Sequence, residues 1–262
     1  MKIATWNVNS IRSRLDHVTQ WLQANPVDVL CLQETKVVDP DFPRSPLEDL
    51  GYHLYISGQK SYNGVAMLSR SPLEDVQIGF AAVLGDGVAE MDEQKRVISG
   101  VAEGIRIVNL YVPNGSAIGS DKYDYKLRWL AVLRDYLCAY LVDQNPDALS
   151  VCGDFNIALE DKDIHDPSKR ETHIMSSDVE RAALQAVLDL GLSDAFRHLT
   201  DEGGHFSWWD YRTAAFRRNR GWRIDHHYLS PSLLKRVKSC VIDVEPRKLE
   251  KPSDHAPVIV EL

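Results

Sequence analysis

Polar residues capable of metal binding and acid–base chemistry follow or precede several apolar stretches of this 262-residue chain. They are Asn7, Asn9, Gln33, Glu34, Asp154, Asn156, Asp254 and His255. Strands are rigid enough to position such groups, and the loops that follow them let a substrate approach. Any single residue of this kind can be an ordinary hydrogen-bonded loop side chain. Because four separate segments share the pattern, we expect them to line one cleft.

The chemistry of this set favours a hard cation. Oxygen-rich, thiolate-free ligands suit Mg²⁺ or Mn²⁺, with one or two carboxylates and the rest supplied by substrate phosphate and water. Glu34 is the first ligand we predict. Hydrolysis of a phosphodiester requires a neutralised charge, an activated water and a stabilised leaving oxygen. A metal at Glu34, a base at Asp154 and a cationic donor at His255 would meet these requirements.

A further carboxylate lies in the predicted strand 222–229. The two-residue period of a strand places His226 and His227 on opposite faces, so they cannot easily share one metal, and Asp225 lies on the face of His227. A carboxylate buried alone costs several kcal/mol, so Asp225 needs a partner. We predict His255, because a carboxylate–imidazole pair fixes the tautomer and raises the imidazole pKa.

The net charge of −8 argues against nucleic-acid binding, which depends on Lys and Arg. One stretch, 205–225, departs from this average with five arginines against two aspartates, and it holds three of the six tryptophans. These residues are Arg212, Arg217, Arg218, Arg220, Arg223, Trp208, Trp209 and Trp222; Lys122, Lys126 and Arg128 form a second predicted basic patch. Interleaved cations and aromatics suit a nucleic-acid groove. The alternative is a set of core tryptophans beside a solvated arginine face.

Short apolar stretches bounded by Gly, Pro, Asn or Asp predict many strands and few helices. The predicted strands lie near 2–8, 27–33, 52–57, 64–69, 73–79, 96–102, 105–112, 148–153, 222–229, 240–244 and 256–261. The predicted helices lie at 10–26, 122–142 and 177–191, the last with a capping box at Ser177 and Glu180. Short turns between neighbouring strands favour mixed or antiparallel sheets covered by helices over a parallel, doubly wound sheet.

Both halves of the chain begin with an apolar strand that runs into an asparagine, Asn7 or Asn156, which suggests a pseudo-duplicated core of two packed sheets. No linker or repeat divides the sequence, so we expect one catalytic domain over 1–262. A hydrophobic content of 44% with 26% charged residues is typical of soluble globular proteins and argues against disordered, collagen-like or membrane-spanning classes.

The termini and cysteines favour a cytoplasmic protein. The N-terminus reaches polar residues too early for a signal peptide, and no apolar stretch approaches the length needed to span a bilayer. The four cysteines form no Cys-x-x-Cys pair, so we expect buried thiols, such as Cys31 and Cys152, in a reducing compartment.

Seven short motifs, spread over nearly the whole chain, resemble those of the exonuclease III family of abasic-site endonucleases in the family's order. They are Trp6–Asn9, Leu32–Lys36, Asn63–Ala66, Asn109–Asn114, Gly153–Asn156, Trp222–Asp225 and Ser253–His255. The resemblance implies a four-layer α/β sandwich, in which two mixed β-sheets pack face to face between helices. It also implies a monomeric, Mg²⁺-dependent DNA repair enzyme of base excision repair, with Mn²⁺ as a substitute. Such an enzyme cleaves duplex DNA 5′ to an abasic site and often has 3′-to-5′ exonuclease and 3′-phosphatase activity.

The resemblance also implies roles for individual residues. Glu34 would be the main metal ligand, with Asn7 and Asp254 close to the ion. Asp154 would activate or orient the attacking water, Asn156 and Tyr111 would contact the scissile phosphate, and His255, oriented by Asp225, would stabilise its charge. Trp208, Trp222 and Ile224 would line the pocket for the abasic sugar, Arg212 would enter the DNA groove, and Arg217, Arg218 and Lys122 would contact DNA.

Several alternatives remain open from the sequence. Either Asp154 or His255 could accept the proton, and one or two ions could act. A phosphoesterase for another substrate, such as a phosphoinositide, a sphingolipid or RNA, could use the same fold and metal site. A non-catalytic DNA-binding protein would be marked by a broken catalytic set, and no motif is broken here.

Overall fold

Two six-stranded sheets dominate the computed structural model of this protein, which describes residues 1–144 and 148–262. The strands are β1 Lys2–Asn7, β2 Val29–Gln33, β3 His53–Ser57, β4 Val65–Ser69, β5 Glu74–Ile78, β6 Val97–Ala102, β7 Ile105–Tyr111, β8 Leu149–Asp154, β9 Ser193–Asp194, β10 Asp225–Leu229, β11 Ser239–Ile242 and β12 Val258–Glu261. The strand order is β11-β12-β1-β2-β4-β3 in the first sheet and β5-β6-β7-β8-β10-β9 in the second.

Helices cover the outer faces of both sheets. They are α1 Leu15–Ala24, α2 Ser45–Glu48, α3 Ala81–Leu84, α4 Asp121–Ala139, α5 Asp178–Leu188, α6 Ala195–Leu199 and α7 Pro231–Leu234. A π-helical turn, Tyr140–Gln144, continues α4. Ser177 and Glu180 form the predicted capping box at the start of α5, which satisfies backbone N–H groups that the first helical turn leaves free. In the part of the chain that the structure describes, no helix has the length and apolar character needed to cross a bilayer.

The two sheets repeat one pattern of strand pairing. In each, the third and fourth strands are parallel, and every other neighbouring pair is antiparallel. The parallel pairs are β1 with β2 and β7 with β8. This pattern agrees with the predicted pseudo-duplicated core, and the predicted fold class is confirmed.

Alternating side chains divide the interior into three apolar layers. In β1, Ile3 faces the second sheet, whereas Ala4 and Trp6 face α1. The middle layer joins residues of both sheets, including Ile3 and Ile107. A third layer packs the second sheet against α4 and α5, with Trp129 fully buried. The order helix, sheet, sheet, helix is the predicted four-layer sandwich.

A buried polar bridge joins the two sheets close to the site. The Gln33 amide donates to Asn109 Oδ1 at 2.7 Å and to Thr5 Oγ1 at 2.8 Å. The Asn109 amide in turn donates to the carbonyls of Leu32 and Ala66 at 3.0 and 2.9 Å. Gln33, Asn109 and Thr5 are completely buried. Their directional bonds fix how the sheets align, which apolar contacts alone do not.

The pairing register brings the predicted site residues to one edge of the sandwich. Asn7 pairs with Gln33 at the ends of β1 and β2, and Tyr111 pairs with Asp154 at the ends of β7 and β8. Asp225 begins β10 opposite Asp154. Parallel pairing therefore delivers the ends of four strands to the same place.

Two predicted elements begin later than expected, and one short strand was not predicted. The strand predicted at 222–229 begins only at Asp225, because Trp222 forms isolated bridges with residues of two loops. The helix predicted from residue 10 begins at Leu15, since Ser10 has a φ of 87°, outside the helical region. Strand β9 has only two residues, too few to give a sequence pattern.

We expect the Asn109→Leu substitution to destabilise the fold by about 2–4 kcal/mol, because it leaves two carbonyls and the Gln33 amide without their buried partner. Equilibrium denaturation with urea measures this change. The exposed Gln185→Leu substitution on α5 is the control and should change the unfolding free energy by less than about 0.5 kcal/mol. Equal stabilities of the two variants would show that the bridge does not hold the sheets together.

Candidate active site

The side-chain amide of Asn7 links the two sheets at the centre of the site. Its nitrogen donates to Glu34 Oε1 and to Asp154 Oδ2, both at 2.9 Å. Its oxygen accepts the backbone N–H of Asn9 at 3.0 Å, which fixes the direction of the amide. Glu34 follows β2 of the first sheet and Asp154 ends β8 of the second. One amide thus holds carboxylates from opposite sheets side by side.

Glu34 is a charged carboxylate with a donor on each oxygen. Tyr111 donates its hydroxyl to Oε1 at 2.8 Å, and the Lys36 ammonium lies 2.7 Å from Oε2. Burial works against ionisation, but Lys36 and the Asn7 hydrogen bond outweigh it and lower the pKa of Glu34. Glu34 has a φ of 50°, so the chain turns sharply to aim this side chain into the site.

Asp254 belongs to the same cluster. Its two oxygens accept from Asn9 Nδ2 and from the Trp208 indole, each at 3.0 Å. Asn9 Oδ1 in turn accepts from the Lys36 ammonium at 2.5 Å, and Lys36 contacts Glu34. The predicted ligands Glu34, Asn7 and Asp254 are therefore brought together by short polar links.

His255 is held by Asp225, and it is the partner that we predicted because a buried carboxylate needs one. Its Nδ1 donates to Asp225 Oδ2 at 2.9 Å, and Ser207 donates to the same oxygen at 2.7 Å. Both members of the pair are buried, and this contact fixes the orientation of the imidazole ring. The remaining ring nitrogen, Nε2, lies 3.7 Å from Asp154 Oδ2.

The surrounding charges set the protonation states of His255 and Asp154. Burial alone would lower the pKa of His255, but the charges of Asp225 and Asp154 raise it to about 10. Burial, reinforced by the charge of Asp225, raises the pKa of Asp154 to about 7. At neutral pH the imidazole is therefore a cation beside a carboxylate that is poised to take up a proton.

Asn156 lies directly behind Asp154. Its backbone N–H donates to Asp154 Oδ1 at 2.9 Å, and its side-chain amide donates to the Val112 carbonyl at 2.9 Å. Asn114 donates to Asn156 Oδ1 at 3.0 Å. Asn156 and Tyr111 thus flank Asp154, since Tyr111 is the register partner of Asp154 in β7.

A cavity of about 550 Å³ opens beside this cluster. Trp208 and Trp222 form part of its wall, together with Met175 and His173, whose ring meets Trp222 edge-on. Ile224 is buried in the apolar cluster behind Trp222. The Trp208 indole that bonds Asp254 also contributes to this wall, so the cavity adjoins the carboxylates.

A second groove, of about 480 Å³, is lined in part by Tyr111. Lys122 and Asn114 line it, and Arg96 stacks over the Tyr111 ring at 4.5 Å. Lys122 is exposed at the edge of this groove.

Arg212, Arg217 and Arg218 are exposed on the loop that borders the 550 Å³ cavity. Arg212 is held by Asp210, which accepts from its backbone N–H at 2.8 Å and from its guanidinium at 2.6 Å. The exposed arginines leave this surface basic despite the acidic net charge.

Three residues of the predicted basic and aromatic surfaces are instead internal. Lys126 is fully buried against Glu180, and Arg223 is buried between Asp163 and Asp194. Trp209 packs in a separate core cluster. The clustering of cations and aromatics along the sequence predicted that these three residues lie on the surface. Each of them instead contacts residues from distant segments, which the sequence does not reveal.

Two functional neighbours were missed in the sequence. The motif alone assigns Lys36 no individual role, although its separation of two residues from Glu34 is a usable signal. Ser207 orients Asp225 and also accepts the backbone N–H groups of Ile224 and Asp225. A lone serine before a tryptophan carries no signal of that role.

The site has the donors that a metal ion requires. Candidate ligand atoms of Asp154, Asp225 and His255 lie within 4.8 Å of one another, and the oxygens of Glu34 and Asp254 lie in the adjoining cluster. Asp225 and His255 are hydrogen-bonded to each other. The carboxylates of Asp154, Glu34 and Asp254 are therefore the more available metal ligands. Such oxygen-rich groups suit a hard divalent cation.

Comparison with known proteins identifies the family. The sequence profile described as "Endonuclease/Exonuclease/phosphatase family" matches residues 4–255. This chain belongs to the endonuclease/exonuclease/phosphatase family. The exodeoxyribonuclease of Bacillus subtilis is 35% identical over 264 residues, with 98% of each chain covered.

Solved structures of the endonuclease/exonuclease/phosphatase family superpose over the full length. The 3′ phosphatase NExo from Neisseria, solved with a product DNA hairpin, is 44% identical, with a TM-score of 0.95 and coverage of 100% of this chain and 99% of NExo. An AP endonuclease from Archaeoglobus fulgidus is 41% identical, with a TM-score of 0.93 and the same coverage. The predicted family and the predicted class of hydrolytic nuclease are confirmed.

We expect Asp225→Asn to lower the pKa of His255, because the substitution removes the nearest negative charge while keeping the shape of the side chain. The imidazole resonances, followed by NMR against pH in metal-free protein, measure this pKa. A raised folded-state pKa stabilises the protein fully below the ordinary value of 6.5, and the stabilisation is lost as pH rises through about 10.

The control for that titration is Asp16→Asn on the exposed side of α1. This substitution should leave the His255 titration where it is in the wild type. An unchanged His255 pKa in Asp225→Asn would contradict the assigned pairing.

Proposed function

We propose that this protein is a Mg²⁺-dependent DNA repair nuclease that cleaves the phosphodiester 5′ to an abasic site and also acts at 3′ ends. One observation carries the proposal: the Trp-lined cavity and the carboxylate cluster share a wall, since the Trp208 indole bonds Asp254 and the Trp208 backbone bridges His255. A sugar without its base in the cavity would place its phosphate at the cluster. All these groups come from one chain, which supports a monomeric, single-domain enzyme.

Glu34, with Asn7 and Asp254 close by, would hold the metal ion. The donor set fits Mg²⁺, because it offers carboxylate oxygens and no thiolate. When bound, the ion would neutralise phosphate charge and assist departure of the leaving oxygen. The Lys36 ammonium, paired with Glu34, supplies further positive charge at the same place.

Asp154 is the group we propose to orient the attacking water and accept its proton. His255 is already protonated at neutral pH, so it cannot accept another proton and is left to donate to a phosphate oxygen. The pKa of about 7 makes Asp154 an effective base under the same conditions. Asn7 and the Asn156 backbone N–H keep its carboxylate in one orientation.

Tyr111 and Asn156 would contact the scissile phosphate from either side of Asp154. Beyond the site, Arg212, Arg217, Arg218 and Lys122 would bind the DNA backbone. The Arg212–Asp210 pair is exposed, and exposed ion pairs contribute only about 0–1 kcal/mol, so a phosphate can replace Asp210 at little cost. Steep weakening of DNA binding by salt would follow from these contacts.

A duplex with one abasic analogue, and a matched duplex with a 3′-phosphate end, test the proposal. With Mg²⁺ we expect incision 5′ to the analogue and shortening or dephosphorylation of the 3′ end; with chelator we expect neither. Trp222→Ala should reduce abasic-site incision more than 3′-end processing, since the Trp222 side chain lines the proposed sugar pocket. Sizing of the products on a denaturing gel separates these outcomes.

Intact DNA in every lane would refute the nuclease assignment and leave a phosphoesterase for another substrate or a DNA-binding protein. Equal loss on both substrates in Trp222→Ala would remove the special role of that pocket.

The Glu34→Gln substitution should weaken activation by Mg²⁺ strongly, because it removes the charge of the proposed ligand and keeps its size. A titration of activity against Mg²⁺ concentration measures the effect, and circular dichroism checks that the fold persists. Glu160→Gln, outside the cluster, is the control. A metal titration identical to that of the wild type would exclude Glu34 as a ligand.

A further inference from the structure

A fully buried ion pair joins helices α4 and α5 behind the site. Lys126 Nζ lies 2.6 Å from Glu180 Oε1, and both side chains are 0% exposed. Removing two charges from water costs several kcal/mol for each, and an apolar pair of similar volume is often as stable. The pair therefore needs an explanation beyond stability.

The ammonium of Lys126 donates to three acceptors at once, which no other side chain can do in this position. Besides Glu180, it donates to the backbone carbonyl of Asn156 at 2.8 Å and to that of Asn114 at 3.2 Å. Three protons thus meet three acceptors. An apolar side chain would leave both carbonyls unpaired, and the planar fork of arginine has a different geometry.

Both carbonyls belong to the loops that carry the phosphate-contacting groups. Asn114 donates its side-chain amide to Asn156 Oδ1, and Asn156 donates its backbone N–H to Asp154 Oδ1. Asn156 has a φ of 49°, which a non-glycine residue adopts only when its surroundings hold it there. Lys126 supplies that hold from behind the loop.

Glu180 extends the same link to the Trp-lined cavity. Its Oε1 also accepts the backbone N–H of Met175 at 3.0 Å, and its Oε2 accepts that of Ser177 at 3.1 Å. Met175 lines the cavity together with Trp222. The pair is thus bonded both to the phosphate loops and to the wall of the sugar pocket.

Gly115 shows that the chain leaves room for this lysine. A Cβ at Gly115 would lie 3.1 Å from Lys126 Cδ and equally close to Ile174 Cδ1, and its φ is 89°. Close packing and backbone conformation both favour glycine at this position. An alanine substitution at Gly115 would therefore perturb Lys126 slightly without removing a charge.

We propose that Lys126 and Glu180 are positioning residues, which hold Asn156 and the Met175 wall in the geometry that catalysis requires. The inference rests on the proposed nuclease function, to which it adds a role for two residues that contact no substrate. It predicts that loss of the pair affects turnover rather than DNA binding.

The double substitution Lys126→Met with Glu180→Gln tests this role. It removes both charges together but leaves the carbonyls of Asn114 and Asn156, and one of the N–H groups of Met175 and Ser177, without a partner. Circular dichroism therefore first checks that the double variant is folded. We expect kcat on abasic duplex to fall about 10²-fold, because a misplacement of about 1 Å has that effect, while KM changes much less. The matched control is Arg106→Met with Asp75→Asn, an ion pair where β7 begins, at the far end from the site.

A folded double variant with wild-type kcat would overturn the proposal. If the double variant does not fold, Gly115→Ala takes its place, because its Cβ would crowd Lys126 Cδ at 3.1 Å while both charges are retained. Full kcat in that variant would overturn the proposal as well. If wild-type protein cleaves no DNA, the nuclease function fails first. The side-chain amide resonances of Asn114 and Asn156 then decide, since the proposal requires them to shift in the double variant and not in the control.

Discussion

The active site depends on one amide between two carboxylates from opposite sheets. Asn7 donates to Glu34 and Asp154, and neither carboxylate would tolerate the other without that donor and nearby positive charge. Lys36 and His255 supply the charge. The arrangement holds only while the sheets keep their alignment. Metal binding, protonation and the packing of the sandwich are therefore parts of one constraint.

The acidic net charge and the proposed DNA substrate are compatible once the location of each charge is known. Lys126 and Arg223 are neutralised inside the protein by buried carboxylates. Cations that have not been neutralised in this way, including Arg217 and Arg218, remain exposed beside the Trp-lined cavity. The net charge counts buried and exposed cations alike, whereas DNA interacts only with the charges on the surface that it contacts.

The repeated pattern of strand pairing explains why the site lies where it does. Each sheet contributes one parallel pair, and the ends of the two pairs meet at a single edge of the sandwich. Asn7 and Glu34 come from one pair, Tyr111 and Asp154 from the other. The chemistry is assembled between two similar halves, and neither half contains a complete set of groups. Helices α4 and α5 support one half from behind through a buried ion pair.

The sequence by itself determined the family, the strand-rich sandwich and most of the central groups, because strand ends and short motifs are local patterns. The capping box at Ser177 is equally local, and it was predicted correctly. The tertiary structure alone decided that Lys126 is buried and that Ser207 orients Asp225. Their partners lie 54 and 18 residues away along the chain, and a side chain becomes buried or hydrogen-bonded only when folding brings such partners together.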